Sequence, residues 1–514
     1  MTEGSKHKPA QRSGGSPSDA GRRSGSSPSV KPKASSKRNG SNGRKTVHAG
    51  AQPQQAARKA KSPRELAMDA LVKVAQTGAY SNLQLNRTLQ EAQLQRADAG
   101  LVTELVYGTI QRQATLDHWL SGFVSKGLHK LEPWVHQLLR MSAYQLLYLD
   151  RIPAHAAVNE AVTIAKRRGH AGISGMVNGV LRSIDRGRAE LTPSAIKNAD
   201  PIAQIALRHS YPEWLVSRWA EAYGVETAEA ICAAGNEQPK ASIRANTLRG
   251  SRDELIAALR TEGYDADASD VAPAGITINR GGNLADTEGF REGLWTMQDE
   301  SSMLVAEVVA PKAGMQVLDC CAAPGGKSTH LAELMGGKGK VWANDLHAHK
   351  RELIVTQTER LKLRNVEAIT EDAMKLSERF KSQSMDAVLL DAPCSGFGVI
   401  RRKPEIKWTK TAGDVSEIAA VQKRLLDAVC GLVRPGGVLV YSTCTIEQDE
   451  NERQIAHFLQ GHPEFELDRN WPEPIIHELR NAGAIGDQFD GQAQLLPQHF
   501  DSDGFYIARM VRRP

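Results

Sequence analysis

The sequence predicts a multidomain protein: an all-α domain, a small α+β unit, and a C-terminal α/β domain built on a doubly wound parallel sheet. Three observations predict this. Apolar residues recur at helical spacing from residue 63 to about 190, with no strand-like alternation. Near Ala241 the period changes, and short strand-like runs flank a capped helix. From Met315, Val/Leu-rich runs bounded by Gly or Pro alternate with helical patterns, the order that makes parallel strands with right-handed crossovers. At 514 residues the chain is too long for one core.

Residues 1–62 stand apart. They carry 14 Lys/Arg against 2 Asp/Glu, a balance of +12, and no Leu, Ile, Phe, Trp or Tyr. Such a segment cannot bury enough apolar surface to offset the entropy of ordering, so a disordered basic tail is expected. It reads equally as a polycation that binds nucleic acid through counterion release and as a solubilising tail. The remaining chain holds 51 basic and 57 acidic residues, a balance of −6.

The helical domain, residues 63–190, starts at a cap: Ser62, then Pro63 at the first helical position and Glu65 three residues on. Leu66, Ala70 and Val74 continue the apolar stripe. Leu116, Trp119, Leu120 and Phe123 form a second stripe, and Val135, Leu138, Leu139 and Leu146 a third, which Pro153 stops. Val158, Ala161, Val162 and Ala165, then Met176, Val180, Leu181 and Ile184, make two more helices. Residues 191–300 hold linking helices, among them Pro212–Trp219, and the α+β unit. Its strands are Ala241–Leu248 and Gly275–Asn279, and a capping box from Ser251 to Glu254 opens its helix.

In residues 301–514 the predicted strands are Gln316–Cys320, Lys340–Asn344, Val366–Thr370, Ala387–Leu390 and Val438–Ser442. Ligands of such sheets gather beyond the carboxyl ends of the strands. The first strand runs into Asp319-Cys320-Cys321-Ala322-Ala323-Pro324-Gly325-Gly326-Lys327 and a helix, a turn where glycines admit a ligand to free N–H groups. A triphosphate-binding loop would need Gly where Cys321 stands, and the dinucleotide pattern of three glycines is missing too. Asp345, Asp372 and Asp391 close the next three strands. Carboxylates at successive strand ends beside a glycine loop favour a nucleoside-bearing cofactor, with Asp345 taking the ribose hydroxyls.

Two cysteines, Cys394 after Asp391-Ala-Pro and Cys444 after Ser442-Thr443, reach the same sheet edge. Free cysteine is more often a small buried hydrophobe, and Cys232, Cys320 and Cys430 are read that way. The six cysteines have neither disulfide nor zinc spacing, and no apolar run is long enough to span a membrane, so a cytoplasmic protein without metal is expected.

Asp319-x-Cys321-Ala-Ala-Pro-Gly-Gly-Lys327, Asp391-Ala-Pro-Cys394-Ser and Thr443-Cys444 together resemble the signature set of RNA cytosine-C5 methyltransferases, which use S-adenosyl-L-methionine. Gly398-Val-Ile-Arg401-Arg402-Lys-Pro-Glu-Ile-Lys407-Trp408 is similar to the bacterial small-subunit rRNA methyltransferase B branch. Arg151-Ile-Pro-Ala-His155 and Val177-Asn178-Gly-Val-Leu-Arg182 resemble the NusB-like helical domain of that branch. The resemblance covers residues 63–514.

The resemblance implies a Rossmann-like class I methyltransferase domain at 301–514 that modifies C5 of one cytosine of 16S rRNA, cytosine 967 in that family. It assigns the nucleophile to Cys444 and the release step to Cys394. Asp391 would hold the cytosine edge, with Lys327 orienting it. Residues Cys321–Lys327, Asp345, Asp372 and Asp391 would hold the cofactor. Covalent addition of a thiolate at C6 makes C5 nucleophilic enough to take a methyl group.

Arg401, Arg402, Lys407 and Trp408, with Arg244 and Asn246 from the small unit, are candidate RNA contacts. A monomer is expected. Three alternatives stand behind this reading: an inactive assembly factor on the same fold, which a lost Cys444, Asp391 or glycine loop would mark although all are present; a different RNA target; and DNA cytosine methylation, which would make Cys394 the nucleophile and which Thr443-Cys444 and the NusB-like domain argue against.

Overall fold

The computed structural model describes residues 61–514, apart from Ala79 and Gly281; the basic tail expected at 1–62 lies outside the described residues but for Lys61 and Ser62. Seven α-helices, from Pro63–Thr77 to Ala171–Gly187, form the N-terminal domain. Ser62 caps the first, its hydroxyl accepting from Glu65 N at 3.3 Å. The predicted stripes converge in one core that includes Met68, Leu71, Leu105, Leu116, Leu120, Leu138, Val158, Val177 and Leu181. Each such side chain contributes roughly 1.5–3 kcal/mol by leaving water. The helix at Gln113–Ser121 stops at Gly122, so Phe123 lies beyond the helix that its spacing suggested.

Three linking helices follow: Pro201–His209, Glu213–Tyr223 and Val225–Ala234. Leu215, Val216, Trp219, Ile231 and Cys232 pack with Phe397, Ile400, Ile406 and Ile446. These helices, grouped in sequence with the small unit, therefore share a core with the C-terminal domain.

The small unit is a four-stranded antiparallel sheet in the order β2-β3-β1-β4, with β1 Ala241–Ala245, β2 Asp265–Ala268, β3 Gly275–Arg280 and β4 Trp295–Met297. The Ser251–Glu254 capping box forms as predicted, and the helix spans Arg252–Thr261. Strands β2 and β4 are too short to show a period and were not foreseen.

The C-terminal sheet has eight strands: β5 Gln316–Asp319, β6 Lys340–Asp345, β7 Val366–Thr370, β8 Met385–Asp391, β9 Val433–Thr443, β10 Phe465–Leu467, β11 Gln492–Leu495 and β12 Phe505–Arg512. Five are parallel, in the order β9-β8-β5-β6-β7, as expected. The rest corrects the all-parallel expectation. β12 runs antiparallel to β9, and β10 and β11 pair antiparallel with the other edge of β12, giving a mixed sheet. β12 is buried over its first six residues, so apart from Arg509 its side chains read as a buried apolar run, which carries no strand direction. The strand order reverses between β5 and β8, and the crevice of such a sheet opens there.

Candidate active site

β5 delivers Asp319 to the sheet edge, and the chain turns through residues 320–325 into the helix Gly326–Leu334. Gly325 makes the turn at φ +106°, where a Cβ would press on Ile354 Cα. Neighbouring strand ends hold the loop. Ala322 N donates to Asn344 O at 2.7 Å, Ala323 N to Asp345 Oδ2 at 3.3 Å, and Asn344 Nδ2 to the carbonyls of Cys320 and Glu371 at 3.0 Å. Asp345 also accepts from His347 N at 3.3 Å, and Asp372 accepts from Met374 N at 3.0 Å. The glycine turn, the N–H groups at the helix start and the carboxylates closing β6 and β7 thus stand together at one edge. This arrangement suits a nucleoside-bearing ligand. Asp319 is buried beneath the loop, accepting from Ser328 Oγ at 2.6 Å; burial, reinforced by Asp391, pushes its carboxyl up to about 7.

The thiols meet because β8 and β9 are parallel neighbours in which Asp391 is opposite Ser442. The chains continue past that pair to Cys394 and Cys444, whose sulfurs lie 3.3 Å apart. Asp391 is held on both oxygens, by Ser442 Oγ at 2.8 Å and by Lys327 Nζ at 2.8 Å. Burial alone would pull the Lys327 ammonium down, but the ion pair with Asp391 outweighs it and keeps the lysine charged. The two thiols are driven apart. A hydrogen bond from Cys394 and the fields of Lys327 and Lys403 hold Cys444 below the usual thiol range, against burial and Asp391. The same bond, with burial and the carboxylates of Glu450 and Asp391, holds Cys394 far above it. The site is thus electrostatically asymmetric, with the thiolate form favoured at Cys444 over Cys394. Cys232, Cys320 and Cys430 lie in apolar clusters, and burial pushes each thiol up.

A cavity of about 530 Å³ opens over this group, within the range of small-molecule sites. Pro324, Lys327, Asp391, Cys444 and Phe505 line one side, and Ser242, Met297 and Gln298 of the small unit line another. Sequence reasoning missed this second wall, and it also missed three residues that hold the Cys394 and Cys444 loops. Gly398 N donates to Cys444 O at 3.0 Å and Gly398 O accepts from Gly504 N at 2.8 Å, a crossing with no room for a Cβ. Glu450 and Asn451 are buried below the thiols although Glu447-Gln-Asp-Glu-Asn-Glu452 looks like a solvated acidic run. Their signal in the sequence was position alone, a few residues after Thr443-Cys444.

The RNA contacts expected from the sequence need correction. Arg244 has no exposure; its guanidinium bonds both oxygens of Glu333 at 3.0 Å and the carbonyl of Gly326 at 2.8 Å. Asn246 is buried against Gly293 O. Arg401 is buried, bonding Asp501 and the carbonyls of Ala234 and Pro497. Lys407 Nζ donates to Gln111 O at 2.9 Å and to Asn236 Oδ1 at 3.2 Å, and Trp408 Nε1 donates to Ile110 O at 2.9 Å. These groups hold parts of the chain together rather than face a ligand, because most of their donors have internal partners; Arg401 Nε is buried without one. Arg402 differs. It pairs with Asp299 and Asp503, lines the cavity and keeps a third of its side chain exposed.

Among the described residues no cluster of side chains could hold a metal ion, and no helix is long and apolar enough to cross a membrane.

The family model described as 16S rRNA methyltransferase RsmB/F matches residues 306–511, the NusB family matches 61–186, and an RsmF/B-like ferredoxin-like domain matches 211–285. The fold and these family matches are those of an rRNA methyltransferase. A Bacillus subtilis protein named "Probable ribosomal RNA small subunit methyltransferase B" is 46% identical, over 88% of this chain and 99% of its own length. The ribosomal RNA small subunit methyltransferase B of Proteus mirabilis is 34% identical, over 88% and 98%. The chain belongs to the ribosomal RNA small subunit methyltransferase B family. A solved structure titled "Crystal Structure of PH0851" is 27% identical, with a TM-score of 0.72 over 88% of this chain and 99% of that one.

Proposed function

We propose that this protein methylates C5 of a single cytosine of 16S rRNA, cytosine 967 by family likeness, through a covalent bond between Cys444 and cytosine C6. The observation that carries the reading is the thiol pair, 3.3 Å apart, beside the Lys327–Asp391 ion pair at the crevice of the sheet. S-adenosyl-L-methionine would supply an electrophilic methyl group. Residues Cys321–Lys327 would cradle it, with Asp345 on the ribose and Asp372 on the adenine side.

Cys444, the more acidic thiol, adds to C6 as thiolate, and C5 gains the electron density to take the methyl group. Asp391, held by Ser442 and Lys327, faces the cytosine edge and stabilises charge as it develops there. C5 then gives up its proton to water, the electrons of that C–H bond restore the C5–C6 double bond, and the Cys444–C6 bond breaks with its electron pair on sulfur, which regenerates the thiolate. Cys394 keeps its proton in the resting site and assists this release. Arg402 at the cavity contacts RNA phosphate. One chain carries both thiols and the cofactor loop, so a monomer acting in the cytoplasm suffices.

Cys444→Ser should abolish methyl transfer from labelled S-adenosyl-L-methionine to 16S rRNA, and Cys394→Ser should accumulate a protein–RNA adduct. Substantial transfer by the Cys444 variant would overturn the mechanism. Bisulfite sequencing of 16S rRNA from a deletion strain would identify the cytosine that loses its mark.

A further inference from the structure

Each thiol loop is gripped on both sides of its cysteine, by Asn451 around Cys444 and by Glu450 together with Gln422 around Cys394. Asn451 Oδ1 accepts from Thr443 Oγ1 at 2.6 Å and Asn451 Nδ2 donates to Thr445 O at 3.1 Å, so its amide spans Cys444. Glu450 Oε2 accepts from Ser395 N at 2.9 Å and from Gln422 Nε2 at 3.0 Å, while the same Gln422 nitrogen donates to Pro393 O at 2.9 Å. Glu450 and Gln422 thus span Cys394. Ser395 Oγ and Thr445 Oγ1, 2.8 Å apart, join the two loops directly. Tyr441 OH, from β9, donates to Glu450 O at 2.7 Å and ties the Glu450–Asn451 dipeptide to the strand that carries Cys444. Glu450 and Asn451 are both fully buried. Buried polar side chains cost stability unless bonded, and most of the bonding groups of these two go to residues next to a cysteine.

We infer that Glu450 and Asn451 are positioning residues that set the Cys394–Cys444 separation and assign the two thiols opposite roles, Asn451 aiming Cys444 and Glu450 keeping Cys394 protonated. The inference rests on the thiol mechanism proposed above. Charge placement around the sulfurs agrees with it. Cys444 is faced by Asp391 and, with opposite sign, by Lys327 and Lys403, whereas Cys394 is faced by the Cys444 sulfur, Glu450 and Asp391, with no cation among its principal influences. Burial raises the Glu450 carboxyl, with a smaller push from Glu447, against the hydrogen bonds from Ser395 and Gln422. Lys327 and Lys403 already favour a thiolate at Cys444, and the Glu450 carboxylate adds to that bias by disfavouring one at Cys394. With that bias, Cys394 is the donor and Cys444 the acceptor.

The test uses the full chain, with iodoacetamide as the probe of each sulfur. In a Cys444→Ser background, Glu450→Gln keeps shape and one acceptor oxygen but removes the charge. The pH midpoint for alkylation of Cys394 should move down by about one unit. In a Cys394→Ser background, Asn451→Ala should slow alkylation of Cys444 at pH 7.5 by about tenfold. With both cysteines present, Glu450→Gln and Asn451→Ala should each lower kcat for methyl transfer at least tenfold, leaving KM for S-adenosyl-L-methionine and RNA within about twofold.

Unshifted alkylation together with lost activity would reduce the dipeptide to scaffolding and overturn the inference, as would wild-type kcat in either variant. Thermal unfolding of each variant separates these outcomes from simple misfolding. Full methyl transfer by Cys444→Ser alone would instead defeat the thiol mechanism, a result the alkylation shifts do not depend on.

Discussion

Arg244 on β1 and Glu333 on the helix behind the cofactor loop form a two-bonded ion pair with no exposure on the arginine, both contacts being 3.0 Å. The same guanidinium holds the carbonyl of Gly326, the first residue of that helix. The small sheet is thereby joined to the element that would carry the cofactor.

Replacing Arg244 by Met leaves the Glu333 charge buried and unpaired, which should cost about 3–5 kcal/mol. The double change Arg244→Met with Glu333→Leu should recover most of that loss, because neither charge remains. KM for S-adenosyl-L-methionine should stay raised in both variants, roughly tenfold, since the Gly326 carbonyl has lost its charged donor. Denaturant unfolding and steady-state kinetics check the two halves separately.

Gly398 offers a sharper disruption. A Cβ at this position meets the backbone of Gly504 and of Cys444, and backbone does not yield as a side chain would. Gly398→Ala should destabilise the protein by about 1–3 kcal/mol, through overpacking. It should also reduce methyl transfer more than tenfold, because the Cys444 loop hangs on the Gly398 N–H. Gly396→Ala is not an equivalent control, since Gly396 lies at positive φ.

Two buried carboxyls should contribute stability in acid that is lost by neutral pH. Asp319 and Asp503 have carboxyls raised by burial to about 7, from 3.8 for an ordinary aspartate. Between those values the folded protein binds protons that the unfolded chain has lost. Their contribution is full below about pH 4 and gone above about pH 7. Asp319→Asn, which can still accept from Ser328, should flatten the fall in Tm from pH 5 to pH 8. A slope equal to that of the parent protein would refute the assignment.

Trp408 is the test of the joint between domains. Its ring packs against the helical core and its Nε1 bonds Ile110 O. Trp408→Ala should cost about 2 kcal/mol, less than a fully buried tryptophan, and speed proteolysis within residues 63–190. Binding of 16S rRNA should change little if the residue is a joint, and strongly if it is a stacking surface.

Legibility in the sequence divided along physical lines. The caps at Ser62 and Ser251, the helical stripes and the parallel strands β5 to β9 depend on neighbours a few residues away, and local pattern revealed them. Asp391, Cys394 and Cys444 were legible because each lies just past a readable strand end. Arg244, Lys407 and Arg401 were misjudged because a cation looks alike in a sequence whether its partner is a phosphate or a buried group. The partner of Arg244 is 89 residues away and that of Lys407 is 296. Glu450 and Asn451 were invisible for the same reason, as polar residues in an acidic run.

By itself the sequence determined which residues stand at strand ends, and hence that a glycine loop, an aspartate and two cysteines share one edge. Only the tertiary structure decided that the sulfurs lie 3.3 Å apart, which of them is more acidic, and which charged side chains are internal bolts rather than contacts for RNA. Periodicity and capping are short-range. The distance between two loops, and the field that separates two identical thiols, depend on how β8 packs beside β9 and on what is buried beneath them.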